Sequence, residues 1–235
     1  MGEGLDFGVV WSNLTYFMIG RFPHGPLGGL ALTLYLASVS CLLSFLGGLA
    51  LGLASVSRNR PLRWLTHTVV NVVRGVPLLM VIFWVYFVLP ALLGQPVAES
   101  LTVIFALTLF TSAYMCGIVR AGIEGVPQGQ REAALSTGLK PWQAMAYVVL
   151  PQGLRNMVPS LVNQFVSLIK DTSLAFIVGV SELTHVATQV NNRTMIFSTE
   201  IFIFIALLYF VVCWFFTSLS RRLERRLAWH RRPPS

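Results

Sequence analysis

The chain has 235 residues, of which 55% are hydrophobic and only 11% charged, and its mean hydropathy is +0.70. A soluble domain carries about 25% charged residues, so the composition excludes a soluble globular protein and marks an integral membrane protein. The net charge of +8 does not signal nucleic acid, because the basic residues gather at the ends of apolar runs, as orientation in a bilayer requires.

Residues 1–27 read as an external or interfacial segment. Glu3 and Asp6 come before any basic residue, unlike the head of a secretory signal. Trp11, Leu14, Phe17 and Met18 give the stretch an apolar face suited to lying along an interface. Taking about 20 apolar residues as one crossing, spans are predicted near residues 28–54, 65–91, 100–119, 157–180 and 199–219. Cys41, Cys116 and Cys213 fall inside apolar runs and read as small core hydrophobes. Gly48 and Gly52 form a GxxxG pair in the first span, a signature of close helix packing.

An odd number of crossings puts the termini on opposite sides. Arg58, Arg60 and Arg63 follow the first span, while Arg120, Arg131, Lys140 and Arg155 lie between the third and fourth. Six arginines fill the tail, residues 221–235. The arginine-rich side is cytoplasmic by the positive-inside rule, so the N-terminus is outside and the C-terminus inside. The tail reads as a topology anchor, with contact to anionic lipid or a partner as the other reading.

Between Arg120 and Asn156 lies the one substantial cytoplasmic loop, and it is organised. Pro127 can open a helix, Gly138 can close it in the left-handed conformation, and Pro141 can open a second helix at its first turn. The expected fold is therefore all-α: five transmembrane helices and a cytoplasmic pair of short helices. Small Ala133 and Ala134 allow close approach of another surface, and Glu132 offers a carboxylate there. An interfacial amphipathic helix pair is the alternative.

The spacing in this loop is specific. Glu132-Ala133-Ala134, three residues, Gly138, nine residues, Val148, one residue, then Leu150-Pro151 resembles the EAA loop of ABC importer permeases, with Val where Ile is usual. Arg74-Gly75-Val76-Pro77 and Lys170-Asp171-Thr172-Ser173-Leu174 are similar to marks of the polar amino acid branch, the glutamate/aspartate type above all. The resemblance covers residues 28–220 as one transmembrane domain with its coupling loop at 124–150; the tail after Leu227 has no counterpart in it.

That resemblance implies a type I importer-like permease of the inner membrane with no cofactor of its own. It also implies that Glu132, Ala133, Ala134, Gly138, Leu150 and Pro151 dock on a separate ATP-binding subunit. A second permease, identical or closely related, would complete the pathway, and an extracytoplasmic solute-binding protein would deliver the amino acid. A phosphate-binding loop needs Gly-Lys followed by Ser or Thr; Lys140 follows Leu139 and Lys170 follows Ile169, so ATP is not held that way here.

Span four carries the remaining chemistry. At about 100° per residue, Ser160, Asn163, Gln164, Ser167, Lys170 and Asp171 share about 120° of arc. One wet face on a membrane helix lines an aqueous cavity or a polar subunit interface. Lys170 and Asp171 diverge by about 100° and each needs its own partner. Arg74 is expected to pair with Asp171 or to face the same cavity.

Together with Thr172 and Ser173, whose hydroxyls can instead bond back to their own helix, these residues make a candidate substrate pathway. The charges would meet the carboxylate and the amino group of a zwitterion; a structural ion pair fixing helix register is the alternative. Outside, Glu182, His185 and Arg193 could contact the solute-binding protein or be merely solvated. A membrane-embedded enzyme finds no metal-ligand spacing in the sequence, and an ATP-independent carrier or channel gives no reason for the EAA loop.

Overall fold

A computed structural model describes residues 6–229. Among these the chain is helical almost throughout, with two isolated bridges as its only β pairing. Two short helices, α1 (Gly8–Ser12) and α2 (Leu14–Ile19), precede α3 (Gly29–Ser55), α4 (Arg60–Arg74), α5 (Leu78–Leu93) and α6 (Glu99–Glu124). Then come α7 (Gln128–Ser136), α8 (Pro141–Gln143), α9 (Leu150–Asp171), α10 (Leu183–Thr194) and α11 (Ser198–Trp229). A π-helical stretch, Ala144–Val149, joins α8 to α9, and a 3-10 stretch, Thr172–Val178, prolongs α9.

Four described stretches are long and apolar enough to cross a bilayer: Gly29–Ser55, Glu99–Glu124, Pro141–Val178 and Ser198–Arg222. The fifth, expected as one run over 65–91, is broken: α4 and α5 meet at 101°. The cause is local. Pro77 has no N–H to donate and disfavours the helical conformation at Val76, while the Gly75 N–H closes α4 on the carbonyls of Asn71 and Val72. Arg74 is the last residue of α4 and stands at this break.

The chain forms two compact units. The first comprises Met1–Leu42, Pro77–Thr108 and Phe165–Phe215. Its core joins Val9, Val10 and Phe17 to Leu183, Val186, Ala187 and Val190 of α10 and to Ile201 and Ile205 of α11. Within the N-terminal segment the apolar residues divide. Trp11 is exposed, but Phe17 is fully buried, because α10 and α11 offer it an apolar surface.

The second unit comprises Leu43–Val76, Leu109–Gln164 and Phe216–Ser235. Val119, Ile123, Val126, Val149 and Met157 form its core, with Leu49 and Leu53 of α3 packed against them. A Cβ at Gly48 would stand 2.2 Å from Met115 Cβ, and one at Gly52 2.3 Å from Val119 Cγ1, so the GxxxG pair lets α3 and α6 touch nearly backbone to backbone. Gly122 and Gly153 do the same for α6 and α9, where a Cβ on either would lie 3.1 Å from the other's carbonyl oxygen. In the tail the helix runs to Trp229; residues 230–235 lie outside the described residues.

Candidate functional site

The knuckle formed by α7, α8 and the π stretch follows its punctuation. Pro127 stands at the N-cap of α7, and Gly138, at φ +89°, ends the helix in the left-handed region. Its N–H donates to the Leu135 carbonyl, and the Thr137 N–H to that of Ala133. Pro141 opens α8 at its first turn, where the Lys140 N–H donates to Gln143 Oε1 at 2.8 Å. The second helix then runs on through the π stretch into α9, so the apolar stretch expected to begin near 157 begins at Pro141.

Within this knuckle the expected coupling residues separate. Glu132, Ala133, Gly138 and Pro151 are exposed, Leu150 is half-buried, and Ala134 is buried where α7 packs on the π stretch. Ala134 therefore sets the spacing inside the knuckle, and Ala133 and Glu132 form its outer face. The same knuckle carries Trp142 and Tyr147, 60% and 64% exposed, with ring centroids 6.2 Å apart. Sequence reasoning passed over this pair; two aromatics in a polar segment were the available signal, since such rings anchor interfaces.

The polar stripe of α9 faces away from the chain's own core. Ser160, Asn163 and Lys170 are exposed and Gln164, Ser167 and Asp171 half-buried, while Val166, Leu168 and Ile169 are buried. Of the following residues, Ser173 is half-buried and Thr172 is turned inward, its hydroxyl donating to the Ile169 carbonyl at 2.7 Å. Arg74, Ser160 and Gln164 meet in a cavity of about 440 Å³, together with Tyr114, Gly117 and Asn156. There the Arg74 guanidinium lies over the Tyr114 ring, 4.9 Å from its centroid. An aromatic face holds a cation without neutralising it, so Arg74 keeps its charge for another partner.

At the start of α10 the structure withdraws one expected contact. Glu182 is fully buried and caps α10, accepting from the Thr184 and His185 N–H groups at 2.9 and 2.8 Å and from the Tyr209 hydroxyl at 3.1 Å. It is not available to a delivering protein. Arg193 is exposed over the Tyr16 ring, 5.4 Å from its centroid, and His185 is partly exposed.

Burial pushes the Glu182 carboxyl up to about 7, against the pull of its three donors. The folded state thus holds a proton that the unfolded chain, at the 4.5 ordinary for the group, has released. This contribution to stability is complete below the lower value and lost as the pH rises through the upper one. The melting temperature of the purified protein should fall between about pH 5 and about pH 8, and Glu182→Gln should flatten that slope.

Comparison with known proteins decides which family this chain belongs to. Residues 44–229 match the family described as binding-protein-dependent transport system inner membrane component. The chain belongs to that family. It is 40% identical to the probable glutamine ABC transporter permease protein GlnP of Bacillus subtilis, over 84% of this chain and 91% of that one.

It is also 32% identical to the glutamate/aspartate import permease protein GltK of Escherichia coli, over 93% and 98% of the two chains. Among solved structures it resembles an amino acid ABC transporter crystallised with histidines: TM-score 0.83, 31% identity, 95% of this chain and all of that one. The MetNI methionine ABC transporter, at 21% identity and TM-score 0.73 over 83% of this chain and 93% of that one, shares the fold. This binding-protein-dependent component is the multi-pass permease subunit of an amino acid ABC importer, and separate subunits hydrolyse the ATP. Such a permease works with an ATPase subunit, a second permease and a solute-binding protein.

Proposed function

We propose that this permease carries a polar amino acid by alternating access, with glutamate, aspartate and glutamine the first substrates to test. The observation that carries this reading is the exposed polar stripe on a membrane-spanning helix. A charge near the bilayer centre costs at least about 2.5 to 3.5 kcal/mol on insertion scales, so the outward-turned Lys170, Asn163 and half-buried Asp171 call for a polar partner. A second permease, identical or closely related, supplies it and encloses the pathway between the two stripes. Arg74, Asn163, Gln164, Ser167, Lys170, Asp171, Thr172 and Ser173 line that pathway, cations toward the substrate carboxylate and Asp171 toward its amino group.

The coupling face is Glu132, Ala133, Ala134, Gly138, Leu150 and Pro151. ATP stays bound to the partner ATPase, whose closure pushes α7 and exchanges the side to which the stripe opens. The permease needs no cofactor. The N-terminus lies outside and the arginine-rich end in the cytoplasm, a direction supported by Arg58, Arg60, Arg63, Arg131 and Lys140 on the knuckle's side.

The test is uptake by the complete transporter in proteoliposomes, with its binding protein outside and ATP inside. Lys170→Gln and Asp171→Asn should each lower uptake about tenfold to a hundredfold, the worth of a desolvated charge-assisted contact, with the ATPase still attached. Unchanged uptake in both variants would reduce these charges to a structural role.

A further inference from the structure

We infer that the permease carries a second, cytoplasm-facing site for a free acidic amino acid, at which accumulated cargo slows import. The inference rests on the proposed cargo class and lies apart from the stripe. It starts from a cleft of about 510 Å³ bounded by the end of α3, α4, α6, α7 and the π stretch, whose polar lining includes Arg63, His67, Arg120, Glu124, Gln128 and Arg131. The volume suits a small metabolite, since ligand pockets run from about 300 to 1,000 Å³.

Its charge is unbalanced. Three guanidiniums face one carboxylate, and Glu124 is already engaged by Arg120, Nε to Oε1 at 2.8 Å. Arg120 also donates from Nη1 to His67 Nε2 at 3.4 Å. Among the described residues Arg63 and Arg131 have no ion-pair partner. A ligand with two carboxylates and one ammonium matches this set: the carboxylates take the unpaired forks of Arg63 and Arg131, in the bidentate manner that guanidinium favours, and the ammonium reaches Glu124. An acidic amino acid has that arrangement.

A phospholipid headgroup would present an anion too, but the surface does not favour it. Of the exposed apolar residues of α4, Leu62, Leu65, Val69 and Val72 lie about 120° to 180° round the helix from the Arg63–His67 line, and Trp64 about 80°. Acyl chains on that flank would hold a headgroup on the wrong side of α4.

The walls give the site its consequence. Gln128 and Arg131 belong to α7, the helix that couples to the ATPase, whereas Arg63 and Arg120 stand on α4 and α6. A ligand held by Arg63 and Arg131 ties α7 to the helices behind it. It therefore favours one position of the knuckle and opposes the stroke, by linkage between its binding and the conformational equilibrium.

The experiment uses the complete transporter in proteoliposomes, with binding protein and labelled amino acid outside and ATP with increasing L-glutamate inside. Import should fall as lumenal glutamate rises. Arg63→Gln should import normally at zero lumenal glutamate and need about tenfold more of it for half-inhibition, the worth of one charge-assisted contact, with Arg63→Lys between the two. An unchanged midpoint in Arg63→Gln, or equal inhibition by lumenal inorganic phosphate, overturns the site, the latter marking a general anion or headgroup effect.

Failure of the cargo reading looks different: no polar amino acid is imported even at zero lumenal glutamate. In that case glutamate binding to the complex in nanodiscs decides. Binding weakened by Arg63→Gln or Arg131→Gln sustains the site, and no binding removes it.

Discussion

Glu132→Lys combined with Gly138→Leu is expected to detach the ATPase from the purified complex and reduce amino acid uptake about a hundredfold or more, as loss of central docking contacts does. The two substitutions act differently. Gly138 holds φ +89° with open space around the position of a Cβ, so the first atom of a side chain meets no neighbour; it meets a backbone conformation that costs an L-residue about 1 to 2 kcal/mol. That strain is relieved by unwinding the end of α7, where the Gly138 N–H bonds the Leu135 carbonyl. The outer face formed by Glu132 and Ala133 then loses its bearing.

Lysine at 132 reverses the one carboxylate of that face. Gly138→Asn is the internal control, since Asn tolerates the left-handed region and should retain most of the attachment that leucine loses. The readouts are co-purification of the ATPase and uptake in proteoliposomes. Attachment and uptake both unaffected in the double variant would mean that α7 does not transmit the stroke.

The parts of this protein that were readable in advance are those where a single residue type forces a backbone outcome. Pro127, Gly138 and Pro141 each dictate a local conformation, and α7 begins and ends where they stand. The Gly48–Gly52 contact was likewise readable, because removing two side chains has one main use between membrane helices. The stripe of α9 was readable as periodicity, and its polar residues are exposed or half-buried.

What escaped notice depends on competition between signals. Apolar length suggested one straight span over 65–91, and Pro77 overruled it. Trp11 and Phe17 looked alike as members of one apolar face; only the presence of α10, distant in sequence, buries one and leaves the other exposed. Glu182 read as a loop charge because nothing local announces that Tyr209, 27 positions on, will close over it. The cleft of Arg63, Arg120 and Arg131 was counted as topology charge, since its unbalanced character appears only once three helices assemble.

Gly29→Ala is expected to be the most damaging single methyl that the described residues can receive. Gly29 has φ +58°, and a Cβ there would lie 2.2 Å from the Phe17 carbonyl oxygen and 2.8 Å from its carbon. Both atoms are backbone and neither can rotate away. The same residue donates its N–H to the Ser181 carbonyl at 2.9 Å, one position before the buried cap Glu182. A methyl must therefore push α2 off the start of α3 or break the tie that holds the start of α10.

Conformational strain and displaced core together should cost about 3 kcal/mol or more, against a usual folding margin of about 5 to 15 kcal/mol. The melting temperature in detergent should fall accordingly, and the bonds within residues 20–30 should become open to protease. Gly129→Ala provides the contrast: that glycine lies within α7 with nothing inside 4 Å, so alanine should be neutral or stabilising by up to about 1 kcal/mol. If Gly29→Ala melts like Gly129→Ala, the N-terminal segment is not packed as described, and Phe17 does not belong to the core of α10 and α11.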